Sequence, residues 1–217
     1  MDLRFDSRIV AAETLRFLQT CQREVPFHLG GGAALAGFHL RHRLSRDADL
    51  FFHSREGHRE AVQRIPEFAR DAGLSIRILR DAGTFVRAEI ESLPVPIELD
   101  LVHEPATDVA VASPVVEGVV LESLDDLRAS KLTCILSRSE PRDLVDLMFL
   151  DAAGYPPERD LPLAARKDTG IDPAILAWLL KEFPVQPLPV MLAPLDSAGL
   201  RQFRDELAER MRRVSVP

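Results

Sequence analysis

The sequence predicts an α/β protein whose strand-bearing first part gives way to a helical C-terminal region. Three observations carry this expectation. Strand-type and helix-type segments interleave up to about residue 122. Three consecutive segments, at 74–80, 84–92 and 95–103, read as strands, the last two with alternating polarity and many β-branched residues. Beyond about residue 155 prolines cluster, at 156, 157, 162, 173, 184, 187, 189 and 194, with short helical patterns between them. The expected division is an α/β core over 1–122 and a helical region over 123–217.

The elements follow in order. Ile9, Val10, Leu15, Phe17 and Leu18 recur at roughly helical spacing, which predicts a helix over 7–23 that Pro26 ends. "FHL" at 27–29 is a short strand entering three glycines, and "AALAGFHLRH" at 33–42 is apolar enough for a short buried helix. "DADLFFH" at 47–53 alternates and then turns fully apolar, as central strands do. Residues 57–73 form an amphipathic helix with a kink expected at Pro66 and a stop at Gly73. After the three strands, "SPVVEGVVLES" at 113–123 reads as one more strand. Ser123 then caps a helix with acids in its first turn, and "EPRDLVDLMFLDAAG" opens on proline and closes on Gly154. Residues 172–183 and 196–213 are the clearest later helices.

Composition bounds the function. With 46% hydrophobic and 28% charged residues, the chain is typical of globular proteins. No apolar run reaches the ~18 residues of a membrane span, and the N-terminus lacks a signal-peptide core, so no membrane role and a cytoplasmic location are expected. A net charge of −7 argues against a general nucleic-acid binder, though not against a local basic patch. Cys21 and Cys134 have no metal-type spacing and are expected to be reduced, small and buried. Lysine occurs only at 131, 167 and 181, which draws attention to Lys131.

The stretch from Phe27 to His53 is the chemical centre of the sequence. A dinucleotide fingerprint fails, because Gly30, Gly31 and Gly32 are consecutive and Leu35 takes the last glycine's place. A Walker loop fails, because Phe38 and His39 stand where Lys and Ser/Thr belong. A metal-dependent nucleotidyl-transfer site survives. Residues i and i+2 of a strand face the same way, so Asp47 and Asp49 present both carboxylates on one side. Two carboxylates that close invite a cation, and hard oxygen ligands suit Mg²⁺. "PIELDLV" supplies a third, Asp100, on the face opposite Ile97, Leu99 and Leu101. Two ions held there could clamp an in-line displacement at phosphorus. Glycines and the following helix start would let backbone N–H groups approach a triphosphate. The competing reading is a plain glycine turn followed by a solvated strand edge.

These residues resemble the leading motif of the AbiEii/AbiGii nucleotidyltransferase toxin family, Gly-Gly-Thr-x-Leu followed by His-Arg-x-Ser-x-Asp-x-Asp-Leu. Gly31, Gly32, Leu35, His42, Arg43, Ser45, Asp47, Asp49 and Leu50 fall on it. A second match is similar to the family's helical motif, through Lys131, Arg138, Arg142, Asp143 and Asp146. The likeness covers roughly residues 25–151. It implies a polymerase-β-like nucleotidyltransferase core, a mixed sheet flanked by helices, with a helical C-terminal part. It also implies transfer of NMP from an NTP to an acceptor hydroxyl with release of pyrophosphate, dependence on Mg²⁺ with two ions, and a toxin's place beside an antitoxin. RNA, and tRNA in particular, is the implied acceptor. By the same resemblance Asp47, Asp49 and Asp100 bind metal, and Asp100 can also accept the hydroxyl proton. Lys131 neutralises the triphosphate. Gly31 and Gly32 let backbone N–H groups reach the nucleotide, Arg43 and Ser45 steady the loop or the phosphates, and Asp143 orients Lys131 or contacts the nucleotide. One position departs: Ala33 stands where the family has Thr or Ser, so a hydroxyl that could touch phosphate is missing. Transfer to a small molecule, and a non-catalytic binding protein of the same fold, are the alternative readings. Outside the resemblance, Lys131 and Asp143 would be an ordinary surface ion pair on helices.

Other features are weaker. His39, His42, His53 and His58 cluster without a zinc-ligand pattern. Trp178, inside an apolar helix, is expected to pack in the core, and the basic end of "ELAERMRR" is expected to complement the helix dipole.

Overall fold

The computed structural model describes residues 3–93, 96–104 and 112–215. These form two compact units, one up to Ser123 and one from Leu124 onward.

The first unit is built on a five-stranded mixed sheet. Its elements are α1 (Ala12–Glu24), β1 (His28–Gly30), α2 (Gly31–Ala34), β2 (Asp47–Phe52), α3 (Arg55–Asp71), β3 (Ile76–Asp81), β4 (Phe85–Ile90) and β5 (Ile97–His103). Strand order is β1-β2-β5-β4-β3. Only the β2–β5 pair is parallel; the others run antiparallel. The parallel pair needs a crossover, and α3 is the helix within it, as parallel neighbours require.

Alternation decides which face each strand buries. Ala48, Leu50 and Phe52 of β2, Leu99 and Leu101 of β5, and Val86, Ala88 and Ile90 of β4 are all buried. The apolar stripe of α3, Ala61, Ile65, Phe68 and Ala69, is buried with them. His58 of α3 meets Phe52 edge-on, with ring centroids 5.6 Å apart, and its Nε2 lies 3.2 Å from the Leu101 carbonyl. The opposite face therefore carries the intervening residues 47, 49 and 51 of β2 and 98, 100 and 102 of β5.

Two local expectations change. The helix predicted over 7–23 begins at Ala12, because residues 7–10 form a turn in which Ile9 and Val10 hydrogen-bond back to Asp6. Helix α3 runs seventeen residues with Pro66 inside it. The single strand expected over 113–123 is a tight hairpin of β6 (Val115–Val116) and β7 (Val119–Val120). Glu117 and Gly118 both have positive φ, 51° and 76°, the backbone of a two-residue hairpin turn. Val95, where the strand over 95–103 was expected to start, lies outside the described residues.

The second unit is helical: α4 (Leu124–Ser137), α5 (Pro141–Ala152), a 3₁₀ turn at Pro157–Asp160, α6 (Leu161–Lys167), α7 (Pro173–Lys181) and α8 (Ser197–Val214). Asp172 caps α7 by accepting from the Ala174 and Ile175 N–H groups at 2.8 and 3.0 Å. Asp196 caps α8 through the Gly199 N–H at 2.8 Å. Helix α7 buries Leu176, Ala177 and Leu180, which leaves Trp178 on its outer face, 70% exposed. The expected core role of Trp178 is thereby overturned: the helix is apolar all round, but only one stripe of it is covered. Cys21 is buried and its thiol is pushed up to about 12 by burial, while Cys134 is only half-buried; both are free thiols.

Candidate active site

The site begins with the glycine turn. Strand β1 ends at Gly30, and the chain turns at Gly31 with φ +59°, a left-handed conformation that favours glycine. A Cβ at Gly31 would also fall on the Asp49 carboxylate, so the turn and the acid lie against one another. A Cβ at Gly32 would come within 2.8 Å of both a terminal guanidinium nitrogen of Arg43 and the Ser45 hydroxyl. Arg43 is fully buried and donates to the Leu44 carbonyl at 2.9 Å, and Ser45 Oγ donates to the Asp47 carbonyl at 3.2 Å. Arg43 and Ser45 thus brace the second glycine, which brings three of the expected residues, Gly32, Arg43 and Ser45, into one tight assembly.

The helix after the turn is unusual. Helix α2 continues directly into a π-helical stretch, Leu35–Leu40, closed by Arg41 in the left-handed region at φ 55°. Ala33 is buried at its start. His39 is buried in the π stretch, where burial and then the Arg41 charge push its imidazole down to about 4.

Register then aligns the carboxylates. Gly30 of β1 pairs with Asp49 of β2, Asp49 with Asp100 of β5, and Asp100 with Arg87 of β4. The neighbouring row runs Asp47, Glu98, Glu89 and Arg77. Directly paired residues share a face, so Asp47, Asp49, Glu98 and Asp100 form a patch of four acids on two parallel strands. Arg87 answers it. Its guanidinium grips Asp100 with two bonds of 2.7 Å, and a third nitrogen lies 3.2 Å from Glu98. The hydrogen bonds to Asp100 raise the Arg87 pKa, so the cation is permanent. A further acid comes from the end of the unit: a Cβ at Gly30 would fall on the buried Glu122 carboxylate and the Phe51 ring.

The donor set suits a hard divalent cation: Asp47, Asp49 and Asp100 are carboxylates on one face of adjacent strands. Among the described residues, however, no three acidic, histidine or cysteine side chains converge tightly enough to hold a metal ion. Asp49 is turned onto the glycine turn and Asp100 onto Arg87. The four clustered histidines make no such group either; His53 instead lies 2.8 Å from His28.

Lys131 and Asp143 lie in the second unit and are brought together there. Lys131, 3% exposed, donates to Asp143 at 3.0 Å and pairs with Asp146 at 2.7 Å. Arg138 adds two bonds to Asp143, at 2.7 and 2.9 Å. Burial would raise the Asp143 carboxyl, but Lys131 and Arg138 outweigh it and hold it below its ordinary value. This is a buried charge network, not the surface ion pair that helix positions alone suggest. The Lys167 side chain, 8% exposed, pairs with Asp126 at 3.3 Å.

Sequence reasoning did not single out Arg87 or Glu122. Alternation in "FVRAEI" puts Arg87 on a definite face, but nothing local tells which strand lies beside it. The local pattern over 113–123 reads as a single strand, which hides the hairpin that delivers Glu122.

A glycine turn leading into paired strand carboxylates, on a mixed sheet followed by helices, defines the nucleotidyltransferase class. The comparisons make this specific. Residues 16–215 match the AbiEii family, described as the nucleotidyl transferase toxin of type IV toxin–antitoxin systems, and the chain belongs to that family. Among solved structures it is similar in fold to JHP933 from Helicobacter pylori, with 22% identity, TM-score 0.58, and 97% of this chain and 94% of that one covered. It is also similar in fold to MenT4, a nucleotidyltransferase toxin from Mycobacterium tuberculosis, with 16% identity, TM-score 0.56, and 95% and 85% covered. No curated protein sequence matches. Among the described residues no helix is long and apolar enough to cross a membrane.

Proposed function

We propose that this nucleotidyltransferase moves NMP from an NTP to a hydroxyl of RNA, with tRNA the favoured acceptor, as the toxin of a cytoplasmic toxin–antitoxin pair. The observation that supports the reading most is the direct pairing of Asp49 with Asp100, with Asp47 on the same face and the glycine turn against Asp49. Asp47, Asp49 and Asp100 would hold Mg²⁺, with two ions the expected stoichiometry; bound there, the metal supplies charge neutralisation at the reacting phosphate. Gly31 and Gly32 present backbone N–H groups to the triphosphate, while Arg43 and Ser45 fix the shape of that turn. Within the second unit Asp143 sets the position of Lys131. The acceptor oxygen forms a bond to the α-phosphorus, the bond from that phosphorus to the α–β bridging oxygen breaks, and pyrophosphate leaves with the electron pair. Asp100 takes the hydroxyl proton.

The test is a transfer assay with Mg²⁺, each α-labelled NTP in turn and total tRNA, beside an Asp47→Ala/Asp49→Ala control. Label in RNA with the wild type and not with the control is expected. Absence of label from RNA with every NTP overturns the RNA acceptor. Label in a small-molecule fraction would then identify the acceptor class.

A further inference from the structure

We propose that Arg87 is a positioning residue that serves as the resident cation of the acidic patch and yields Asp100 when a divalent metal binds. This inference rests on the metal-binding reading of Asp47, Asp49 and Asp100 above.

Four carboxylates on two adjacent strands repel one another in the absence of a cation. Asp100 is buried, so water screens its charge poorly. The fold places an arginine where that charge is neutralised: Arg87 sits directly opposite Asp100 on β4. Its planar fork matches both oxygens of the carboxylate, at 2.7 Å each. A third nitrogen reaches Glu98, and the same charge is felt at Asp47. Both Asp100 oxygens are thus engaged by one guanidinium.

A divalent cation entering on Asp100 must share the carboxylate's remaining lone pairs with a guanidinium whose positive charge repels it at close range. Binding of the cation therefore favours release of at least one arm of Arg87. The side chain can do so, because it is 41% exposed and has solvent to move into, whereas Asp100 is fixed on a central strand. The exchange keeps the charge of the patch balanced in both states: guanidinium when metal is absent, divalent cation when it is present. A residue that merely stapled β4 to β5 would have no bearing on metal affinity, whereas a residue that competes with the metal must lower it.

The experiment titrates wild type, Arg87→Gln, Arg87→Lys and Asp49→Asn with Mn²⁺, following free Mn²⁺ by electron paramagnetic resonance, with melts in EDTA alongside. Arg87→Gln is expected to bind Mn²⁺ more tightly, by on the order of 10-fold, while melting lower in EDTA. Arg87→Lys, which keeps the charge and loses the fork, should fall between. Unchanged or weaker Mn²⁺ binding by folded Arg87→Gln overturns the proposal. If Arg87→Gln does not fold, the wild type decides: the Arg87 Nε–H resonance should shift and exchange faster on adding Mg²⁺, and an unmoved resonance overturns the proposal. Mn²⁺ binding by the wild type that Asp49→Asn abolishes keeps the metal reading standing whichever way Arg87→Gln behaves. Mn²⁺ binding by neither wild type nor Arg87→Gln overturns both.

Discussion

Asp49 and Asp100 stand directly opposite each other on the parallel β2–β5 ladder, in the middle of the sheet. Like charges so placed are unfavourable unless something offsets them. Here the offset is local and unequal: Asp49 lies against the glycine turn and Asp100 is held by Arg87. That inequality shapes what each substitution should do.

Gly31→Ala should be far worse than a positive φ alone explains. Gly31 and Gly73 both have positive φ, 59° and 73°, but a Cβ at Gly73 meets nothing within 4 Å. Gly73→Ala is expected to cost about 1 kcal/mol, the ordinary penalty for alanine in this conformation. Gly31→Ala carries the same penalty and also drives a methyl into the Asp49 carboxylate. Urea unfolding of the two variants, with transfer rates in parallel, measures the difference. Equal losses for the two would show that the turn and Asp49 are not coupled.

Lys131→Met should destabilise the second unit strongly. It leaves Asp143 and Asp146 buried without that cation, and breaking a buried pair in this way typically costs ~3–5 kcal/mol. Chemical denaturation measures the loss, and a change under ~1 kcal/mol would refute the network's structural role. The stability loss must be known before any loss of transfer by this variant is assigned to phosphate binding.

Stability should fall as pH drops below about 6.5, and His39 is a main reason. Its folded pKa is about 4 against an ordinary 6.5, so between those values the unfolded chain binds a proton that the folded chain refuses. Protons bound preferentially to the unfolded state make stability rise with pH through this window. His39's contribution is therefore complete above about 6.5 and lost towards 4, on the order of 3 kcal/mol in all. His58 is depressed too, chiefly by burial, and adds in the same direction. His39→Gln should flatten the melting-temperature profile between pH 4 and 6.5, and an unaltered slope would remove His39 from the explanation.

Trp178 should behave as a surface residue. It is the only tryptophan, so fluorescence reports it alone. Iodide should quench the folded protein nearly as well as the unfolded chain. Trp178→Ala is expected to change stability by no more than ~0.5 kcal/mol, against the ~3–5 kcal/mol of a core tryptophan.

What the sequence determined by itself was whatever depends on neighbours along the chain. Period-two alternation put Asp47 and Asp49 on one face and Glu98 and Asp100 on one face. The run of glycines marked the turn, and proline and aspartate marked helix starts. The motif residues from Gly31 to Leu50, with the later helical motif from Lys131 to Asp146, pointed to the family. Tertiary structure decided the rest, because register and burial depend on residues distant in sequence. It paired Asp49 with Asp100 and set Arg87 on the far side of Asp100. It buried Lys131 between two carboxylates. It left Trp178 outside, since an evenly apolar helix does not say which of its stripes will be covered. A strand's alternation fixes its faces, but its neighbours come from hydrogen-bond pairing between strands, and no local pattern encodes that.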